Sequence, residues 1–526
     1  MSVLGTAVPL SAVLALIAAG GCTGKIGDAS ADPSLGVVSE TAPAEIGAVQ
    51  AQHAPQAEHC IQEELNAIGD PHERFEETFE CGDELFETVF NSLDGVGANV
   101  GGGLRFTRVP RADRAGPGEW ASHVPARATG PNAQACNQCH SLPADDGAGP
   151  AAANVHRDPL HTGSLGQFIQ RNTPHVFAPG AIQVLAQEMT AELRDRRERG
   201  RRLSCAFRGF PIRVQLEAKD VSFGSMVVRC RGEDDSGGVR GVDADLVVRP
   251  FQWKGSVASL RDFNRGAAHN ELGMQPVEIA GDDVDGDGDG IMNEMGVGDM
   301  SALAVYLASQ PRPVTRIELA DLGLGEPLAA EQRAAIERGA QTFADVGCTR
   351  CHRSSLAIDD PIFREPSLSD AYRDATFPAG QDPIERGVDP ASPISFDLTA
   401  DQPDNVVDVG GQEVHLGSLQ RRDDGGAIVR LYGDLRRHDM GPGLAEAIDE
   451  VGTGASVFLT ENLWGVGSTA PYLHDGRATT LTEAILAHGG EASESRDSFA
   501  GRSEAAQADI IAFLDNLILF KVPEEG

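Results

Sequence analysis

Positive charge is scarce in this sequence: 43 Lys and Arg stand against 79 Asp and Glu, a formal net charge of −36. The acidic surplus is spread along the chain, and such a surface repels polyanions. That argues against nucleic acid or an anionic lipid surface as a partner. Long apolar runs are missing too. The run Val8 to Ala19 is too short to cross a bilayer and no other segment could span one, so it reads as the core of an export signal. Cysteine is sparse, nine in 526 residues, few enough to account for one by one.

Four of the nine lie in Cys136-Asn137-Gln138-Cys139-His140 and its twin Cys348-Thr349-Arg350-Cys351-His352. Two cysteines three apart with a histidine directly after are what covalent haem c attachment needs. The thiols form thioethers to the two vinyl groups, and the adjacent imidazole reaches the iron from the same turn. The competing reading is one zinc site made from both pairs. It must join pairs 212 residues apart, and it leaves both histidines unexplained. The chain therefore reads as carrying two covalently bound haem c groups, one organising each half, with His140 and His352 as proximal iron ligands. Cys60/Cys81 and Cys205/Cys230 are local pairs suited to disulfides. Cys22 is left over, and the small residues before it resemble a bacterial lipoprotein cleavage site. A lipid on Cys22 is the only membrane contact expected. Haem c and disulfides together point to a periplasmic or otherwise extracytoplasmic protein.

At 526 residues more than one core is expected. Residues 1–22 read as the signal peptide and 23–58 as a flexible linker rich in Ala, Pro and acids. Residues 59–312 form an N-terminal haem c domain, and 313–526 a C-terminal cytochrome c-like haem domain, with Pro311 and Pro313 at the boundary. The expected fold class is mostly α, two cytochrome c-like haem domains with a β-containing insertion in the first. Apolar spacing predicts helices over Phe75 to Phe90 and over Ile182 to Leu193, the second continuing into the basic run Arg194 to Arg202. Ile212 to Ala218 and Val221 to Cys230 alternate like paired strands, and Ala244 to Pro250 is another strand candidate. A helix over Ala329 to Val346 delivers the second haem motif. Ser503 to Leu519 reads as an apolar closing helix.

The loop Asp283 to Glu294 fits the calcium-loop pattern, with Asp283, Asp285, Asp287 and Glu294 at positions 1, 3, 5 and 12, Gly288 at 6, and Asp289 following. Bound Ca2+ is the expectation, a solvated acidic loop the alternative. What stands opposite each haem iron then decides function. A filled sixth position makes an electron carrier, and an open one admits peroxide or oxygen. Thr480 to Glu483 is a capping box and Gly489-Gly490 a stop, so Leu481, Ala484, Ile485 and His488 share one helix face. His488 is the leading second ligand for the haem of His352, with His438, Met440 and His474 as competitors. Spacing singles out none of His123, His156, His161 and His175.

Leu463-Trp464-Gly465-Val466-Gly467, Ala470-Pro471-Tyr472-Leu473-His474-Asp475-Gly476-Arg477 and Leu481 to Gly490 resemble the C-terminal signature of bacterial di-haem cytochrome c peroxidases. From Phe79 onward the chain resembles the di-haem oxidoreductase family, through Arg127 to His140, Arg171 to His175, Pro250 to Gly255 and His438 to Gly441. The resemblance implies that His488 replaces a methionine on the second haem. It also implies that Glu188, followed by Met189, matches the acid/base glutamate of the peroxidases at the first haem, with Gln183 assisting one turn earlier. Ser164-Leu165-Gly166-Gln167 falls where the peroxidases carry a removable distal histidine, which leaves the first iron open. Their inter-haem tryptophan has no counterpart at its usual place, and Trp253 and Trp464 are the candidates that remain. The expected function is reduction of hydrogen peroxide, with electrons from an unidentified redox protein relayed from the C-terminal to the N-terminal haem. Oxygen chemistry on an organic substrate, as in haem rubber oxygenases, and a plain two-haem electron carrier are the alternatives.

Overall fold

The computed structural model describes residues 54–98, 105–107 and 123–522. The expected signal peptide, Cys22 and the linker as far as residue 53 lie outside them. The described helices are α1 (Gln62–Ala67), α2 (Pro71–Glu87), α3 (Pro179–Ala206), α4 (Leu260–Ala267), α5 (Val277–Ala280) and α6 (Val297–Ala308). They continue with α7 (Arg316–Leu322), α8 (Ala330–Asp345), α9 (Leu481–Ala487), α10 (Ser493–Ala500) and α11 (Glu504–Asp515).

Helix α6 sits at the centre, with every one of its residues buried. Its sequence is apolar almost all round and leaves no face for water. Its one acid, Asp299, is used up locally, accepting from the amides of Gly296 and Cys60 and meeting His59 Nδ1 at 2.8 Å. Helix α2 starts on the Asp70 cap, which accepts from the His72 and Glu73 amides ahead of a proline-led first turn. It crosses α6 at Gly82, where an added Cβ would lie 2.4 Å from the Ala302 carbonyl oxygen. A Cys60–Cys81 disulfide ties α2 to the segment before α1.

The predicted amphipathic helix is α3, which runs 28 residues and buries Ala181, Ile182, Leu185, Met189 and Leu193. Its far end packs on the antiparallel hairpin 212–218/221–228, and Cys205–Cys230 closes that corner. Ala244 to Pro250, expected as a strand, forms none. Its backbone is satisfied by side chains instead, Val247 N donating to Asp245 and Val248 N to Thr190.

Among the described residues the strands are short and pair in seven small sheets, six of them two-stranded, so the architecture is mixed rather than mostly α. The loop-rich stretch 359–425 is held by such pairs, including 362–365 with 394–397. From there Phe363 and Phe396, and just beyond it Val429 and Leu435, join Leu85, Leu185 and Met300 in the main core. Phe75 of α2 stacks on Phe396 at 4.6 Å. A second core belongs to the C-terminal half alone, around Ile336, Phe343, Phe499, Ile510 and Phe513. There α8 and α11 cross at Gly339, whose added Cβ would lie 1.9 Å from the Asp509 carbonyl oxygen. The described residues from 55 to 522 form one compact unit.

Candidate functional site

Each Cys-Xaa-Xaa-Cys-His segment is one tight turn. The amides of Cys139 and His140 point back to Cys136 O at 3.1 and 3.2 Å, and those of Cys351 and His352 to Cys348 O at 3.3 and 3.0 Å. The second turn directly follows α8 through Gly347, at φ +90°. Both imidazoles are held from behind. His140 Nδ1 donates to Gly147 O at 3.3 Å and His352 Nδ1 to Tyr432 O at 3.1 Å, which leaves Nε2 of each for a metal. Burial pushes both histidines down to about 4, so they are neutral, as ligands must be.

None of the four cysteines of the two motifs is in a disulfide. Burial pushes Cys136 up to about 12 and Cys348 to about 11, so without a bound group these two are thiols. They also line separate cavities. One, of about 190 Å³, is walled by Cys136, Cys139, His140, Phe86 and Leu272; the other, of about 230 Å³, by Cys348, Cys351, His352, Phe343 and Phe458. Among the described residues no cluster of metal-binding side chains unites the two pairs, which removes the single zinc site. Asn172, Thr173, Pro174 and Trp253 line both cavities, with Trp253 Nε1 donating to Asn172 O at 2.8 Å. Trp464 lines neither.

His488 caps the C-terminus of α9, whose Thr480/Glu483 capping box forms as expected. Its Nδ1 donates to Ala484 O at 2.7 Å, and its ring faces that of His352 across the cavity, centroids 6.4 Å apart. A metal–imidazole bond is about 2 Å and the nitrogen lies about 1 Å outside the ring centroid, so one metal held between two imidazoles separates the centroids by roughly 6 Å. The two competing histidines are otherwise engaged. His438 meets Asp434 through Nε2 at 3.0 Å and Glu491 through Nδ1 at 2.9 Å. His474 stacks on Phe458 at 4.3 Å and stands edge-on to Trp253. Met440 lines the cavity without a polar partner to hold it.

The first cavity differs. His140 is the sole histidine in its lining, and Met295 is a second side chain there able to bind iron. His175 lies in the wall of the other cavity with both nitrogens used, Nδ1 accepting from Phe177 N and Nε2 donating to Trp464 O. Ser164 to Gln167 forms an exposed turn outside both linings. Glu188 and Gln183 are not brought to this cavity either. Glu188 accepts from the Asp359 and Asp360 amides and pairs with Lys219 at 2.7 Å. Gln183 is fully buried and accepts from Leu260 N. Both acts are structural, pinning neighbouring segments to α3. The polar groups that do line the cavity include Glu271 and Asn264. Glu271 accepts from Asn132 Nδ2 at 2.8 Å, and burial raises its pKa against the pull of Arg157. Asn264 Nδ2 is buried with no partner. Asn264, Ala268 and Glu271 recur at helical spacing, the one sequence signal that marks them as a single face.

In the acidic loop, oxygens of Asp285, Asp287 and Asp289 lie within 4.8 Å of one another. Asp283 stands apart, bonded to the Asn293 side chain. Arg127 pairs with Asp287 and Arg105 with Asp289, both at 2.8 Å. Burial pushes Asp287 up to about 6 and Glu294 to about 9. Asp287 Oδ1 and Glu294 Oε1 are buried without a partner.

Residues 399–517 match the model of a family described as "Di-haem oxidoreductase, putative peroxidase", the family that the sequence motifs resemble. No curated protein gives a significant match. Among solved structures, the chain is similar to a MauG-like protein associated with microbial copper homeostasis, at 17% identity, covering 50% of this chain and 68% of that one, with a TM-score of 0.24. It is also similar to hydrazine synthase of Kuenenia stuttgartiensis, at 16% identity and a TM-score of 0.22, over 42% of this chain. The match spans 56% of that enzyme chain, little more than half its length.

Proposed function

From that family match as premise, we propose that the protein is an extracytoplasmic di-haem c oxidoreductase that reduces hydrogen peroxide, with electrons entering at the C-terminal haem and used at the N-terminal one. The observation that carries it is the asymmetry of the two cavities: His352 faces a second imidazole, and among the described residues no second histidine lines the cavity of His140. Bound haem would supply, at the first centre, an iron with room for a small oxidant and, at the second, an iron held on both sides that stores an electron. The donor sets fit: each cavity offers two cysteines outside any disulfide and a neutral imidazole within one apolar wall.

The chain's own groups would then do the following. Cys136, Cys139, Cys348 and Cys351 tether the two groups. His352 and His488 would both hold the second haem group. The shared wall of Asn172, Thr173, Pro174 and Trp253 is the protein matter an electron has to cross between the cavities. Asn264 Nδ2 is a donor in search of an acceptor, and an oxidant oxygen can accept from it. Glu271, whose pKa burial raises against the pull of Arg157, is a carboxyl at the first cavity that can pass a proton to a departing oxygen. Glu188, tied to Lys219 and two amides, has no part in this. We also infer that the acidic loop holds Ca2+, on the two buried unpartnered oxygens of Asp287 and Glu294. Two disulfides support the extracytoplasmic location.

The test is the ferric electron paramagnetic resonance spectrum of the haem-loaded protein. One high-spin and one low-spin signal are expected, with the low-spin signal lost in His488→Ala. Two low-spin signals would overturn an open first iron and make the protein an electron carrier, with Met295 the ligand to replace next. In peroxide turnover, Glu271→Gln is expected to lower kcat by about 10²-fold or more. Glu188→Gln is expected to leave kcat within a factor of a few, and the opposite ranking would return the role to Glu188.

A further inference from the structure

The C-terminal end of α3 runs against the charge of the whole chain. Residues 194–213 hold eight arginines and two acids in a protein of net charge −36. Some of these arginines are spoken for, Arg199 by Asp195 and Arg201 by Asp234, each at 2.5 Å. Arg208 and Arg213, with Arg231 from the facing hairpin end, are exposed and form no ion pair among the described residues. Beside them Leu203, Phe207 and Phe210 are 50, 61 and 69% exposed. Cations near a helix C-terminus are ordinary complements of the helix dipole. Two exposed phenylalanines and a leucine are not explained that way.

The patch is also firmly built. Phe207 caps α3, Phe210 N donates to Phe207 O at 3.2 Å, and Ser204 Oγ donates to Phe210 O at 2.7 Å. Cys230 N donates back to Ser204 Oγ, and Cys205–Cys230 locks the corner covalently. A cross-linked scaffold thus presents large apolar side chains to water on segments that also carry exposed arginines without ion-pair partners among the described residues, a combination that marks an interaction surface.

We propose that this corner docks the protein on an anionic phospholipid surface, Leu203, Phe207 and Phe210 entering the interface while Arg208, Arg213 and Arg231 meet the phosphates. Charge complementarity selects the occupant. Three apolar side chains fall far short of the roughly 20–30 residues a side that a stable protein interface uses. They suffice for interfacial insertion beside a cationic rim, as amphipathic surface helices achieve it. Position fits too. Helix α3 begins just after His175 in the wall of the second cavity, and its 28 residues rise about 42 Å. The corner is therefore remote from both cavities, useless for electron entry and well placed to hold them clear of a surface. Repulsion from the acidic remainder is screened beyond about 8–10 Å at physiological salt, so a projecting corner of opposite sign can touch where the bulk cannot. The overall charge excludes adhesion spread over the surface, not this local contact.

The test uses the haem-loaded full chain carrying Cys22→Ser, so that no attached lipid contributes, sedimented with vesicles of phosphatidylcholine alone or mixed with phosphatidylglycerol. Binding is expected only to the anionic vesicles and should weaken as salt rises. It should drop about tenfold or more in Phe207→Ser/Phe210→Ser and again in Arg208→Glu, all with the parent's haem spectrum and circular dichroism. No binding to either vesicle, equal binding to both, or variants that bind like the parent would each overturn the proposal. Capture by an acidic polypeptide with no vesicle bound would overturn it in favour of a protein partner.

Discussion

His438 shows how one residue's surroundings override its type. Burial works against its charged form, but the hydrogen bond to Asp434 prevails and, with Cys351 beside it in the haem-free chain, its pKa rises to about 10. It is thus a fixed imidazolium between two carboxylates, next to the second haem motif, and not an iron ligand. The folded pKa lies above the unfolded value of 6.5, so its contribution to stability is complete below about pH 6.5 and is lost as pH rises through about 10. In urea unfolding, the wild type should therefore lose a few kcal/mol between those limits that His438→Gln does not lose. Parallel profiles for the two proteins would refute the charged state. Sequence showed His438 only as one of several competitors. The two carboxylates that disqualify it come from four residues before it and from 53 residues after, and only the first is within reach of a local reading.

At the scale of elements, local rules did well where the element is closed on itself. The capping box that starts α9, the amphipathic face of α3 and the hairpin 212–218/221–228 appear where periodicity expects them. Helix α6 was missed because it is buried on every side, and a short apolar run without a polar face has no helical period to read. Ala244 to Pro250 alternates like a strand but is held by Thr190 and Asp245 instead of a partner. The acidic loop kept its ligand-rich composition, yet the group that converges begins at Asp285 and includes arginine partners that no loop pattern contains. Calcium at a hundredfold excess over its dissociation constant should stabilise the protein by about 3 kcal/mol, seen as a Tm lowered on adding EDTA. Asp287→Asn should abolish the difference, and an EDTA-insensitive Tm in the wild type would argue for an ion-free loop.

Across the whole molecule, distant segments are tied by buried polar contacts. Lys521 near the C-terminal end pairs with Asp146 at 2.7 Å, and Tyr306 of α6 donates to the same carboxylate at 3.0 Å. Asp146 follows the first haem motif by six residues, so the end of the chain braces the loop that carries His140. Burial raises the Asp146 pKa to about 6 even with Lys521 beside it. Removing the ammonium in Lys521→Ala leaves that carboxylate buried and unpaired, and should lower the unfolding free energy by about 3 kcal/mol. Because residues from both halves share the main core, the loss should appear as one transition shifted to lower urea. Two separate transitions, with only the C-terminal half affected, would contradict that shared core.

What the sequence determined by itself is the chemistry that needs only neighbours along the chain. Two Cys-Xaa-Xaa-Cys-His turns, two local cysteine pairs and a capped helix ending in His488 are all written within 26 residues or fewer. What the tertiary structure decided is everything that depends on which surfaces meet. It set His488 opposite His352 and brought Trp253 into the wall of both cavities. It also turned Glu188 toward Lys219 and left Glu271 and Asn264 at the first cavity in its stead. Helical spacing tells which side of α3 is apolar, but not whether the polar edge of that face looks into a cavity or onto a neighbouring turn. The choice is made by the packing of segments more than a hundred residues away, where chain spacing carries no information.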